Sequence, residues 1–328
     1  MLLSDHLNWD AATIARHGAP APLPAITLAS CIEPALAGRK HVRELVKIHL
    51  RGWAHRGPTR RWLALLNSHP AFAEFVAHRP SVVAKIYRPY LTRTLGVAGR
   101  LAVLDAHYAF MFGHGLAHML AQASRSKVPL ARLTGKSGVP YTIDLRAVGA
   151  FEREGELVLQ LCCDGALVYS TAFTFSTPGG APQVMIGSVQ GPRGADAMAA
   201  IKQASRELHG LRAKALLVTL VQQLGLALGC SQLRLVGNAN RTAGRAIGRG
   251  QVLADYEQFW QELGAVRCPD GDFAMPCRPL APLDLAQVEQ KRRSEARKRH
   301  HLLQAVTDDV VAQFIQPATL LRQPLLAA

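Results

Sequence analysis

Between residues 39 and 66 apolar positions recur at helical spacing: Val42, Leu45, Val46, Ile48 and Leu50, then Trp53, Trp62, Leu63 and Leu66. Gly57-Pro58 interrupts the run and predicts the end of one helix, with Pro58 in the opening turn of the next. Short helical stretches are expected at 71–77 and 81–87. Each is stopped by a proline, Pro80 or Pro89, whose ring and missing N–H break the helical hydrogen bonds. Residues 99–123 read as a longer helix weakened by Gly113 and Gly115. This part of the chain is expected to be all helical.

After Pro129 the period changes from helical to alternating. Residues 141–148 alternate as a strand does, and 156–162 follow in the same manner. Asp164-Gly165 then predicts a tight hairpin into 167–175, because both residues tolerate the left-handed backbone of a type I′ turn. Pro178-Gly179-Gly180 leads to a further strand at 184–189. Links this short leave no room for crossover helices, so the four strands form an antiparallel meander. Helical patterns return at 195–208 and 213–228, parted by His209-Gly210. A strand at 232–236, in a parallel or central place, precedes a helix at 255–263. Two short strands, 265–267 and 272–275, flank Pro269-Asp270-Gly271. The fold class expected is α+β: a helical N-terminal module followed by a mixed, mostly antiparallel sheet with helices. The corresponding division is 1–130, 131–282 and a C-terminal basic helix and tail at 283–328.

Composition adds a charge asymmetry. The 328 residues hold 38 Lys and Arg against 23 Asp and Glu, a formal net charge of +15. Residues 1–130 carry 16 basic and 6 acidic side chains, 131–253 carry 13 and 7, and 254–328 carry 9 and 10. So positive a surface should attract an anionic partner, such as a phosphorylated small molecule or an acidic lipid leaflet. Within 39–100 the surface cations expected are Arg39, Arg43, Arg51, Arg60, Arg61, Lys85, Arg88 and Arg93. No recognisable nucleic-acid-binding module accompanies the charge, which disfavours nucleic acid. The chain opens MLLSDHLNWDAATIARHG, without a basic segment leading into an apolar one, and the apolar stretch 215–228 is too short to span a bilayer. A cytoplasmic protein is expected, in one version peripheral at the inner membrane. Six cysteines without a CxxC spacing read as reduced thiols.

Candidate chemistry is scattered. His107, His114 and His118 share one helical face, but no carboxylate or thiolate joins them there, and no metal is expected. His107 alone is kept as a catalytic candidate. Glu152, Glu154 and Glu156 alternate at a strand start, where paired carboxylates can raise one pKa toward that of a general base; a charged turn is the ordinary alternative. Gln190-Gly191-Pro192-Arg193 leads from a strand toward a helix start, and Arg193, Lys202, Arg206, Arg212 and Lys214 could surround a phosphate there. Neither GxGxxG nor a Walker A loop is present. Asn238, Asn240 and Arg241 end the following strand, and Tyr256 stands among Phe259, Trp260 and Leu263 as packing or as a proton donor. The basic run 291–301 is expected inside one long helix.

These residues, taken in order, resemble a known family. His107-Tyr108, Arg153-Glu154-Gly155-Glu156-Leu157, Ile186-Gly187, Gln190-Gly191-Pro192, His209-Gly210-Leu211-Arg212-Ala213-Lys214, Asp255-Tyr256 with Phe259-Trp260, Asp270-Gly271-Asp272-Phe273 and Lys291-Arg292-Arg293 are similar to the bacterial VirK/YbjX family, DUF535, over about 35–310. That resemblance implies links to virulence, the cell envelope and antimicrobial-peptide resistance, without an established activity. A remoter resemblance is to the GNAT acyltransferase fold, whose phosphate loop reads R/Q-x-x-G-x-G/A; after Gln190 this chain has Arg193 and Ala195 at the two small-residue positions. The GNAT resemblance implies acyl-CoA, or another acyl thioester, and an amine or hydroxyl acceptor. Glu154 or His209 would be the base and Tyr256 the acid. Gln190, Gly191, Arg193, Arg206, Gly210, Arg212, Lys214 and Asn240 would hold the donor. The alternative is a non-catalytic envelope or virulence accessory factor that binds anionic lipid or a protein partner.

Overall fold

The computed structural model describes residues 25–33, 37–147, 151–192, 194, 196–242 and 255–316. Helices α1 (Gly38–Ala54) and α2 (Arg56–Leu66) part at His55, so Gly57 and Pro58 lie in the first turn of α2. Pro58 costs nothing there, because a first-turn N–H has no intrahelical partner anyway. Helix α3 (Pro70–His78) is capped by His69, which accepts from the Ala71 N–H at 3.1 Å. Residues Pro80–Tyr87 wind as a 3-10 helix. The single helix expected at 99–123 is two, α4 (Val97–Gly113) and α5 (Ala117–Arg125). Gly115, with φ of +71°, makes the turn between them. That break removes the continuous histidine face, for His114 and His118 bond to the Phe110 and Gly115 carbonyls of their own turns.

Strand β1 (Val128–Thr134) begins ahead of the first strand read from the sequence, and β2 (Pro140–Ala147), β3 (Leu157–Cys163), β4 (Ala166–Ser176) and β5 (Gln183–Gln190) follow. The β3–β4 turn has Asp164 at φ 46° and Gly165 at φ 78°, the two left-handed positions the hairpin requires. Helices α6 (Ala197–Glu207) and α7 (Ala213–Ala227) lead to β6 (Gln232–Leu235). Helix α8 (Glu257–Glu262) and the short β7 (Val266–Arg267) and β8 (Phe273–Pro276) come next. The basic run does not sit mid-helix: α9 (Arg293–Ile315) starts inside it, after two 3-10 turns.

Among the described residues one sheet of eight strands results, in the order β1-β2-β3-β4-β5-β6-β8-β7. Of these described strands only β5 and β6 run parallel. Residues Ser170–Ser176 of β4 are buried without alternation, so both faces of the sheet centre are covered. Helices α4 and α5 contact β4 and β2, while α7 and α9 contact β4, β3 and β1. The helical N-terminal residues and the sheet share one hydrophobic core, running from Trp62 and Phe72 through Phe173 to Phe314.

Candidate functional site

Strands β5 and β6 are paired only from Gln183–Gln232 to Ile186–Leu235. Beyond that point β5 continues to Gln190 while β6 has ended, and the two chains part. The Val189 backbone is left facing the opening, and Tyr256 fills it. The Tyr256 hydroxyl accepts from the Val189 N–H at 3.0 Å and donates to the Val189 carbonyl at 2.9 Å. Burial pushes the phenol up to about 12, with the nearby Arg241 guanidinium opposing the rise. Arg241 lies 3.7 Å over the Tyr256 ring.

Glu154 joins this group from the β2–β3 connection. Its backbone presses on β5 at Gly187, where a Cβ would stand 1.9 Å from the Glu154 carbonyl oxygen, so only glycine admits it. The Glu154 carboxylate accepts from Thr242 at 3.0 Å. Burial raises its pKa above the ordinary glutamate value, against the hydrogen bond from Thr242 and the charges of Arg153 and Arg241. Asn240 lies at the same end, but its amide nitrogen donates to the Asp270 carbonyl at 2.9 Å and to Asp272 at 2.8 Å. It holds the turn before β8 rather than reaching into the opening.

The cations read from the sequence gather on the neighbouring side of β5. Lys202, Arg206, Arg212 and Lys214 line a cleft of about 380 Å³ with Tyr169, Met198, Ile201, Ser205 and Ala213. The sequence named all four of these cations; Tyr169 is the aromatic it did not name. Gly191 lets the chain turn into this cleft, since a Cβ there would meet the Ile201 side chain at 2.8 Å and the Tyr169 ring at 3.2 Å. Arg212 is the N-cap of α7 and brings no side-chain cap, so the first amides of the helix keep their donors. Lys214 stands 4.0 Å from the Phe259 ring centre, and burial, then Arg212, lowers its pKa. Arg212 also meets Glu262 at 2.7 Å. The Tyr169 ring lies against Gly191, two residues along the chain from the Val189 that Tyr256 holds, so cleft and opening adjoin.

Other candidates lie elsewhere. His209 bonds to Glu295 of α9 at 3.2 Å, and Gly210, at φ +78°, turns the chain beside Arg299. Gln190 is half-buried at the end of β5. Arg193 lies outside the described residues. His107 is fully buried behind β4, its Nδ1 accepting from the Phe175 N–H at 3.1 Å. The three alternating glutamates do not form a carboxylate pair. Glu152 meets Ser81 and Arg88, Glu154 meets Thr242, and Glu156 is sealed in the core against Lys85 and Tyr108. Lys85 is therefore no surface cation: it is 4% exposed and ion-paired with Glu156.

The family model for proteins of unknown function, DUF535, matches residues 37–312. The chain is 25% identical over 258 residues to the uncharacterized protein YbjX of Escherichia coli, covering 77% of this chain and 78% of that one. It is 24% identical over 274 residues to an uncharacterized protein of Haemophilus influenzae, covering 83% and 89%. Among solved structures it is similar to a cAMP-binding acyltransferase from Mycobacterium smegmatis, at 13% identity and a TM-score of 0.26. That match covers 73% of this chain and 66% of the other, just under two thirds of the acyltransferase.

Proposed function

The chain belongs to the DUF535 family, and from that premise and the geometry of its β5–β6 end we propose that the core binds an acyl thioester of the coenzyme A type and transfers the acyl group to an amine or hydroxyl. The observation that carries this reading is the cleft in which Lys202, Arg206, Arg212 and Lys214 converge beside the start of α7. A diphosphate needs several fixed donors, and guanidinium groups next to uncapped helix amides supply them. An acyl thioester contributes an activated carbonyl; the remaining work belongs to residues of this chain. Glu154, whose burial makes it a stronger base than an exposed glutamate, accepts the proton of the acceptor as its bond to the acyl carbon forms. As the carbon–sulfur bond breaks, Tyr256 gives its proton to the departing sulfur and regains one from solvent, to which Glu154 releases the proton it took from the acceptor. The Val189 N–H, now held by Tyr256, becomes available to the donor arm when that hydroxyl turns.

Native mass spectrometry of freshly purified protein tests the reading. The expected spectrum shows a fraction carrying the mass of coenzyme A or an acyl-coenzyme A, absent from an Arg212→Ala/Lys214→Ala variant. Added acyl-coenzyme A that leaves no adduct on wild-type protein contradicts it.

A second reading, a non-catalytic factor at an anionic membrane of the cell envelope, is favoured by the outer face of α1, which carries apolar side chains among arginines and lysines. No helix among the described residues is long and apolar enough to cross a membrane.

A further inference from the structure

Helix α1 has two apolar faces, and among the described residues only one of them is packed against the rest of the fold. Its inward face is narrow: Ile48 and Gly52 are its buried residues. Gly52 sits so close to Leu28 that a Cβ would come within 2.5 Å of it, and Thr59 donates to the Gly52 carbonyl at 3.3 Å. Val42, Val46, Leu50 and Trp53 point away from that contact, at 60%, 52%, 61% and 69% exposure. Spacings of four, four and three residues place them in one row along the helix. They are four of the seven large hydrophobic side chains that stand exposed among the described residues.

The row is bordered by positive charge. From Gly38 to Leu66 the chain carries Arg39, Lys40, Arg43, Lys47, Arg51, Arg56, Arg60 and Arg61 against the one acid Glu44. At 100° per residue, Arg39, Arg43 and Lys47 lie within the row or on its flank. Glu44 lies toward the inward face, drawing Arg43 at 3.3 Å and Lys47 at 2.9 Å. Past the end of the helix, the Arg56 guanidinium stands 5.9 Å from the Trp53 ring. Apolar side chains ending in a tryptophan, with arginines and lysines at their edge, suit the boundary between acyl chains and anionic headgroups. A protein partner would need a matching acidic rim around an apolar groove, whereas an anionic leaflet offers both at every point.

We propose that the outer face of α1 is an in-plane membrane-docking helix, with Val42, Val46, Leu50 and Trp53 entering the lipid interface and the flanking cations meeting acidic headgroups. The proposal rests on the membrane reading of function and adds to it the surface that makes contact. It does not depend on the acyl-donor cleft. The row extends over most of a helix about 25 Å long, so the helix would lie along the membrane rather than pierce it.

Vesicle flotation of the full chain tests this, with phosphatidylglycerol-containing vesicles compared with pure phosphatidylcholine. The expected result is recovery with the anionic vesicles, little with the neutral ones, and an affinity at least about tenfold weaker for Val46→Glu/Trp53→Ser. Both substituted side chains are exposed, so an unchanged melting temperature confirms that the variant is folded. Brominated lipid should quench wild-type fluorescence and lose that effect in Trp53→Phe. Anionic binding that survives Val46→Glu/Trp53→Ser unchanged overturns the α1 assignment while leaving the membrane reading in place. Equal recovery with both vesicles, or none with either, overturns both.

Discussion

At the scale of single residues, the chemistry named by the sequence divides between a solvent-facing site and a sealed cluster. Glu156, Lys85, Tyr108 and His107 are all buried where the helices meet the sheet. Tyr108 donates to Glu156 at 2.5 Å. Desolvation would raise the Glu156 carboxyl, but Lys85, His107 and the hydrogen bonds it accepts outweigh this and hold it below the ordinary range. Burial takes His107 down to about 4 from 6.5. Between those two values the unfolded chain binds the additional proton, so stability rises with pH across the window and levels off above it. The His107 contribution is on the order of 3 kcal/mol. Urea unfolding of His107→Asn, which keeps an acceptor for the Phe175 N–H, should show a smaller stability difference between acidic and neutral pH than wild type. An identical difference would mean that another group carries the effect. The sequence drew attention to His107 and Glu156 but placed their partner Lys85 on the surface. Lys85 lies far from Glu156 along the chain, and a lysine in a short proline-bounded helix looks the same whether it faces water or a buried carboxylate.

At the scale of elements, nearly every helix and strand is legible from periodicity, and the misses have local causes. β1 escaped notice because a bulge between Pro129 and Ala131 buries Leu130 and Ala131 in succession and shifts the alternation by one residue. The long helix through Gly113 and Gly115 broke because Gly115 adopts a left-handed conformation that no helix continues. What periodicity could not show is how α8 joins β5. Tyr256 reads as one more aromatic of the stripe that includes Phe259 and Trp260, yet it replaces the missing strand partner of Val189. Tyr256→Phe strips a buried N–H and a carbonyl of their partner, and stability should fall by about 1–3 kcal/mol. Chemical denaturation would register this as a lower midpoint with an unchanged slope. No loss would mean that β5 finds another partner and that Tyr256 does not brace the parting.

At the scale of the whole molecule, one hydrophobic core joins the N-terminal helices to an eight-stranded sheet. The architecture presents two positively charged surfaces, the cleft beside α7 and the outer face of α1. The four cations of the candidate cleft were visible in sequence because Lys202, Arg206, Arg212 and Lys214 lie close together in the chain. Tyr169, from the β3–β4 hairpin, and Glu154, pressed against Gly187, arrive by sheet topology alone. The separation of His209 from Glu154 has the same origin, for His209 turns toward α9 and Glu295. The proposed acyl transfer requires the cationic cleft and the adjoining β5–β6 parting to act as one donor site. Isothermal titration of acetyl-coenzyme A into the full chain tests it most directly. Saturable heat with one site per chain is expected, with affinity falling at least about tenfold in Arg212→Ala/Lys214→Ala, because each lost charge-assisted hydrogen bond is worth about 1.5–3 kcal/mol. Wild-type protein that gives no heat with ligand at about millimolar concentration, an affinity of only about −4 kcal/mol, would contradict it.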